Sequence, residues 1–256
     1  MPEVINSPAK ELNLFYLIDV SGSMSGSKIQ SVNDVMPQAM EIVAKISKDN
    51  RDNAVIKASV MTFSDDATWM YPNPVYAEEM VWQDLEADGG TYFGKVCSKL
   101  EAALHKEKSK YPESQLLCTV GHKKSAIILI SDGEPLDEDW KQQLAILQKN
   151  KWFDEASKIA IAIGNDCNKE VLWDFVGRGK EKGAGGTVLE VHNIKDLESA
   201  IKIASSVASK VGSQRAADQG NGGSNTQQAV NEAIQEEAPS LANPTQAGAQ
   251  QADDWD

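Results

Sequence analysis

The fold of this 256-residue chain is decided by residues 14–28, LFYLIDVSGSMSGSK. An apolar run ends in Asp19, and Ser21 and Ser23 follow at alternate positions. Such an uninterrupted run is typical of a strand buried on both faces of a parallel sheet. Because ligands of these sheets bind beyond the carboxyl ends of the strands, Asp19 stands where a functional site is expected. A simple turn closed by the aspartate side chain would use the same residues.

Apolar runs and amphipathic helices alternate along the chain as far as residue 211. Apolar runs predict strands at 12–20, 54–63, 124–131, 157–164 and 187–191, with a proline-broken edge strand at 67–77. Apolar residues at helical spacing predict helices at 28–47, 91–104, 139–149, 169–176 and 194–211. Pro37 is expected to kink or divide the first of these helices. The alternation predicts an α/β fold, a doubly wound, mostly parallel central sheet flanked by helices on both faces in a Rossmann-like three-layer sandwich.

The composition changes after residue 211, and this change sets the predicted domain boundaries. We predict an N-terminal extension at 1–11, one domain at 12–211 and an acidic, disordered tail at 212–256. The segment QGNGGSNTQQ has too few apolar residues to offset the entropy of ordering it. QQAVNEAIQEEA can form a transient helix, and the final DDWD is either solvated or a short docking motif.

Composition also limits the classes of partner and compartment. The net charge of −13 disfavours nucleic acid, because phosphates would not be neutralised. No apolar run approaches the length of a membrane span, and the N-terminus does not resemble a secretory signal. Three scattered cysteines favour a reducing, cytoplasmic environment over a disulfide framework. Cys118 and His122 lack a second ligand pair, so we interpret them as loop residues rather than a zinc site.

The known phosphate and nucleophile motifs do not fit residues 14–28. A phosphate-binding P-loop needs four residues between its glycines, whereas Gly22 and Gly26 are separated by three. A nucleophile elbow needs serine midway between its glycines, and Met24 stands there. A phosphotransfer motif that begins at Asp19 would need a second aspartate two residues later, where this chain has Ser21. We therefore expect no catalytic residues and no enzymatic activity.

A metal site accounts better for these residues, together with two others downstream. Asp19, Ser21 and Ser23 can direct three oxygens at one point, and oxygen ligands suit Mg²⁺ or Mn²⁺. Thr91 follows Gly-Gly at a predicted helix start, and Asp132 lies one residue beyond a predicted strand. Alone, Thr91 could be a helix N-cap and Asp132 an ordinary turn residue. Their joint placement at one sheet edge favours a metal site made of all five residues.

The pattern Asp19-x-Ser21-x-Ser23, Thr91 and Ser131-Asp132-Gly133 resembles the metal-ion-dependent adhesion site (MIDAS) of von Willebrand factor A (vWA) domains, with every ligand position filled. The resemblance covers about residues 12–210. It implies that the two serines contact the cation directly, the threonine directly or through water, and the aspartates largely through water. It also implies a remaining position that a partner protein fills with a carboxylate.

A narrower resemblance concerns SGSMSGSKIQSVND, MTFSDDATW and LISDGEPLDE, which are similar to intracellular bacterial vWA proteins of tellurite-resistance gene clusters (TerY type). It implies stress signalling in a set with a protein kinase and a metal-dependent phosphatase. The expected function is a metal-dependent protein–protein interaction module that binds an acidic side chain of its partner. Two alternatives stay open: a divalent-metal-dependent phosphohydrolase or phosphotransferase, and a scaffold that docks through its acidic tail.

Overall fold

The computed structural model describes residues 10–105, 125–177, 185–214, 223–242 and 255. Within these ranges, seven strands form one sheet: β1 Lys10–Asp19, β2 Ala54–Phe63, β3 Ala67–Trp69, β4 Val75–Tyr76, β5 Ala126–Ser131, β6 Ser157–Ile163 and β7 Thr187–Val191. The helices of the same ranges are α1 Ser27–Asp49, α2 Phe93–Ala103, α3 Trp140–Leu147, α4 Lys151–Glu155, α5 Lys169–Val176, α6 Ile194–Gln214, α7 Gly223–Glu237 and α8 Pro239–Ala242.

The order of the strands places β1 at the centre of the sheet. The order is β3-β2-β1-β5-β6-β7, and β4 also pairs with β2. β1, β2, β5, β6 and β7 are parallel, whereas β3 and β4 run antiparallel to β2 at the edge. The chain leaves β1 towards β2 on one side, and β5 lies on the other. This reversal creates a topological switch point, where parallel α/β sheets bind ligands.

Alternate residues of β1 pack into two separate cores, as the period of two for a strand requires. Leu14 and Tyr16 pack on the side covered by α1 and α6, which we call the α1/α6 face. Phe15 and Leu17 pack on the side covered by α2, α3 and α5. The buried Tyr16 hydroxyl donates to Ser205 Oγ of α6 at 2.8 Å, which fixes α6 over the centre of the sheet.

The predicted fold class is confirmed, and most predicted elements of residues 12–211 match the observed ones to within a few residues. The predicted edge strand at 67–77 is instead two short strands, β3 and β4, and the short helix α4 was not predicted. β1 begins at Lys10, two residues before the predicted start of the domain. α1 runs from Ser27 to Asp49 without division at Pro37, where a kink or a break was expected. Pro37 lies on the exposed side of α1, where its ring does not disturb the packing of the core.

Part of the predicted disordered tail is helical and packed. Val230 and Ile234 of α7 are fully buried against the α1/α6 face. Gln227 of α7 accepts from the backbone N–H of Lys158 at 2.6 Å and donates to its carbonyl at 3.2 Å. This side-chain amide therefore satisfies both backbone groups of one residue of β6. Over residues 223–242 the expectation of disorder is wrong, because an apolar stripe is buried there despite the polar composition.

Some predictions concern residues outside the described ranges. Residues 1–9, Cys118 and His122, and residues 215–222 and 243–254 of the tail are among them. Among the described helices, none is both long and apolar enough to cross a membrane.

Candidate functional site

The loop after β1 folds its polar side chains into a chain of hydrogen bonds. Asp19 Oδ1 accepts from the backbone N–H of Ser21 at 2.9 Å. The hydroxyls of Ser21 and Ser23 lie 3.0 Å apart, and Ser23 Oγ donates to Asp132 Oδ1 at 2.7 Å. A 3₁₀ turn over Gly22–Met24 buries Met24 and holds the two serines on one side of the loop. The alternate spacing thus brings hydroxyls and carboxylates together in one hydrogen-bonded chain.

The loop after β5 supplies the second carboxylate and a supporting hydroxyl. Ser131 Oγ donates to Asp19 Oδ2 at 2.6 Å, so both oxygens of the Asp19 carboxylate are engaged. A Cβ on Gly133 would lie 2.5 Å from Thr91 Oγ1 and 3.0 Å from Asp19 Oδ2. Thr91 and Asp19 therefore adjoin the same small space, which only glycine at position 133 leaves clear.

The loop that carries Thr91 is fastened to the rest of the site by its backbone. Gly22 N–H donates to the carbonyl of Gly89 at 2.9 Å, and Gly90 N–H donates to Asp65 Oδ1 at 2.7 Å. Gly89 has φ of 82°, a conformation that side-chain-bearing residues rarely adopt, and a Cβ there would lie 2.9 Å from Asp65. The Gly-Gly turn thus lets Thr91 approach the loop after β1.

Thr91 is not the N-cap of α2. The helix begins at Phe93, and Asp137 accepts from the backbone N–H groups of Phe93 at 2.9 Å and Gly94 at 2.5 Å. A carboxylate satisfies these first helical donors, and its charge is favourable at a helix N-terminus. The Thr91 side chain consequently has no capping role and is available to the site.

Lys28 is the charged partner of the site. Its Nζ lies 2.5 Å from Asp132 Oδ2 and donates to the carbonyl of Ser23 at 3.3 Å. The side chain is 20% exposed, whereas that of Asp132 is only 2% exposed. The ammonium group therefore sits at the rim and neutralises a carboxylate that is otherwise buried.

Burial controls the electrostatics of the other carboxylate. Asp19 is fully buried, and this desolvation raises its pKa above the ordinary value. Hydrogen bonds from Ser131 and Ser21 oppose the shift, while the negative charge of Asp132 adds to it. Two carboxylates held close together out of water are destabilised by their own charges, and a bound cation would relieve this cost.

The donor set fits a hard divalent cation. Aspartate carboxylates and serine and threonine hydroxyls supply oxygen, the ligand atom that Mg²⁺ and Mn²⁺ prefer. Among the described residues, no group of three or more His, Cys, Asp or Glu side chains is arranged to hold a metal. A metal at this sheet edge would thus depend on hydroxyls as well as carboxylates. Ser23 is exposed, so the outer side of the cluster faces solvent.

The structure brings the loops of all five predicted site residues together at one sheet edge, and further residues hold these loops in place. Ser131 orients Asp19, Lys28 pairs with Asp132, and Asp65 and Asp137 position the Thr91 segment. The involvement of Ser131 could have been predicted from the sequence, since this residue directly precedes Asp132 in the same motif. Asp65 follows β2, so sequence reasoning could place it near the site, although a solvated turn was the favoured interpretation. The contacts of Lys28 and Asp137 join loops distant in sequence, and no local pattern signals them.

Several solved structures share this fold at low sequence identity. The pilus adhesin SpaC from Lactobacillus rhamnosus GG, in its open conformation, has a TM-score of 0.56 at 12% identity, over 80% of this chain and 31% of that protein. The PilB minor pilin from Streptococcus sanguinis has a TM-score of 0.54 at 14% identity, over 80% and 63%. Proximal thread matrix protein 1 from the mussel byssus, with a zinc-occupied MIDAS motif, has a TM-score of 0.50 at 15% identity, over 80% and 47%. The chain spans less than two thirds of each of these proteins.

Sequence comparison assigns the family. No curated protein sequence matches the chain significantly. The sequence profile of the von Willebrand factor type A domain matches residues 13–203, which run from within β1 to about the middle of α6 and include every residue of the site. The chain belongs to the von Willebrand factor type A domain family.

Proposed function

We propose that this chain is a metal-dependent protein–protein interaction module. In this proposal Asp19, Ser21, Ser23, Thr91 and Asp132 form a complete MIDAS that holds Mg²⁺ or Mn²⁺. The observation that carries the proposal is the continuous contact of hydroxyls and carboxylates from the loops after β1 and β5, at the switch point of the sheet.

The bound ion would supply a positive charge that a partner's carboxylate can reach. Neutral hydroxyls donate less charge to a metal than carboxylates do, so the ion stays attractive to another anion. The net charge of −13 opposes acidic partners at long range. Salt screens that repulsion beyond about 10 Å, whereas the ion acts at direct contact. Ser21 and Asp19 would position the ion from below, and the exposed Ser23 would adjoin the partner.

The finer assignment follows from the resemblance to TerY-type proteins. We propose a cytoplasmic bacterial protein of stress or tellurite-resistance signalling, acting with a kinase and phosphatase set. Neither nucleic acid nor membrane is a partner in this proposal, in keeping with the negative charge.

An enzymatic role for the same ion is the rival proposal. A metal-dependent phosphohydrolase or phosphotransferase would need a general base or nucleophile beside the ion. The basic group bonded to the cluster is Lys28, and its Nζ is already engaged by Asp132 Oδ2 and by the carbonyl of Ser23. We therefore propose a binding module, and phosphate release from generic substrates with Mg²⁺ or Mn²⁺ would overturn that choice.

A pulldown from the native cell tests the binding function. The bait is the full chain, the double variant Ser21→Ala/Ser23→Ala, or the control Ser25→Ala. Ser25 belongs to the same loop, but its hydroxyl donates to the carbonyl of Gly22 rather than to the cluster. We expect a partner that the wild type and Ser25→Ala retain in Mg²⁺ and that the chelator or the double variant releases. Retention by the double variant in chelator would contradict the proposal.

A further inference from the structure

Trp255, near the end of the chain, lies beside the candidate metal site. Its side chain is partly buried and packs against the core of the α1/α6 face. Lys28 Nζ lies 5.6 Å from the centroid of the Trp255 ring and 2.5 Å from Asp132 Oδ2. One lysine therefore contacts both a proposed metal ligand and the tail.

The contacts of Trp255 are favourable but incomplete. An ammonium group over an indole ring contributes about 0.5–2 kcal/mol, depending on its exposure. The indole Nε1 is buried and, among the described residues, has no hydrogen-bond partner. A buried unsatisfied donor costs about 1–3 kcal/mol, which offsets much of this gain. The balance favours reversible docking, in which another ligand can replace the indole.

The residues that flank Trp255 in sequence define the chemistry of such a ligand. Asp253 and Asp254 precede it and Asp256 follows it. These three aspartates are therefore neighbours in sequence of an indole ring whose centroid lies 5.6 Å from Lys28 Nζ. The matching ligand is an indole flanked by carboxylates.

We propose that Lys28 and the adjoining apolar surface of the α1/α6 face form a binding pocket for an indole side chain, and that the chain's own Trp255 fills this pocket in cis. The docking of Trp255 is inferred from the contacts of Lys28 and Trp255 alone. Its consequence rests on the proposed function: a partner that offers a carboxylate to the ion must compete with the acidic tail.

The tether makes occupation in cis effective even though the contact is weak. α8 ends at Ala242, and 13 residues further along the chain is Trp255, so the indole is covalently joined to the domain that it contacts. A short covalent link between a ligand and its site typically gives an effective concentration in the millimolar range. If the free segment binds with a Kd of about 0.1 mM, occupation in cis weakens a competitor about tenfold.

A labelled peptide with the sequence of residues 245–256, TQAGAQQADDWD, tests the pocket directly. Fluorescence polarisation would measure its binding to the full chain, to Trp255→Ala and to Glu236→Ala, all in chelator. Glu236 is an exposed residue of the tail helix α7 and serves as the control. We expect Trp255→Ala to bind the peptide about tenfold more tightly than wild type or Glu236→Ala. Adding Lys28→Ala to Trp255→Ala should remove that gain.

Equal peptide binding by wild type and Trp255→Ala would overturn the proposal, as would an unchanged Kd after Lys28→Ala. A wild-type dimer that Trp255→Ala dissolves, seen by sedimentation, would mean that a second copy supplies the indole and would also overturn occupation in cis. Because the measurement is made without metal, failure of Mg²⁺ binding would refute the proposed function and leave this result standing.

Discussion

Two lysines of this molecule lie in opposite kinds of polar environment. Lys158, at the start of β6, is 1% exposed, and its Nζ donates to the carbonyls of Phe153 and Ala156, each at 2.7 Å. Lys28, at the carboxyl end of the sheet, is partly exposed and contacts a carboxylate of the candidate metal site. Buried polar groups that are fully satisfied fix one structure, whereas groups at an exposed rim can exchange partners. The difference separates a residue that maintains the fold from one that can take part in binding.

The largest expected effect is on stability and comes from Lys158→Met. Methionine keeps the apolar stem but leaves two buried carbonyl groups without their donor, at a cost of about 2–4 kcal/mol in the free energy of unfolding. Mg²⁺ affinity should stay at the wild-type value. Urea unfolding and calorimetric titration would check both, and a loss below about 1 kcal/mol would mean that Lys158 does not hold this region together.

A smaller effect is expected from Ser131→Ala, and it should fall on the metal. Ser131 Oγ donates to Asp19 Oδ2, and loss of such an orienting hydrogen bond typically weakens metal binding about tenfold or more. The control is Ser205→Ala, another buried, hydrogen-bonded serine, which contacts Tyr16 on the α1/α6 face. That variant should lose stability only. Equal Mg²⁺ affinities for the two variants would mean that Ser131 does not support metal binding.

The smallest effect is expected from Lys28→Met, which should strengthen Mg²⁺ binding, whereas Ser131→Ala should weaken it. The ammonium group competes with a cation for Asp132, and an ion pair at a partly exposed site contributes about 0.5–1 kcal/mol. Its removal should therefore tighten Mg²⁺ binding about two- to fivefold at low salt, with stability nearly unchanged. Lys45→Met, an exposed change on the same helix, should alter neither quantity. Weaker Mg²⁺ binding in Lys28→Met would instead mean that the lysine supports the site.

The same contrast separates what the sequence predicts from what it does not. The strand β1 and the positions of Asp19 and Asp132 follow from apolar runs that end in carboxylates, because a strand signals its own end locally. The pairing of Lys28 with Asp132 joins positions 104 apart, and no period in the sequence encodes it. The fold and the proposed ligands could therefore be predicted from the sequence. The residues that orient and neutralise those ligands could be identified only from the structure.

The tail shows a different cause of error. Its glutamine, asparagine and glycine content predicted disorder, although Val230, Ile234 and Leu241 recur at helical spacing and are buried. That stripe was visible in the sequence, but its partner surface on the α1/α6 face was not. Composition measures how much apolar surface a segment has, and burial depends also on whether a matching surface exists elsewhere.

Calorimetric titration of Mg²⁺ into the wild type and into Ser21→Ala/Ser23→Ala tests the central claim most directly. Both chains should unfold at similar urea concentrations, since Ser21 and Ser23 lie in the loop beyond β1 rather than in either core. We predict one Mg²⁺ per wild-type chain and binding at least about 100-fold weaker in the double variant, which loses two oxygen ligands. Equal affinity in the two folded proteins, or no binding by the wild type, would contradict a cation held by this hydroxyl–carboxylate cluster.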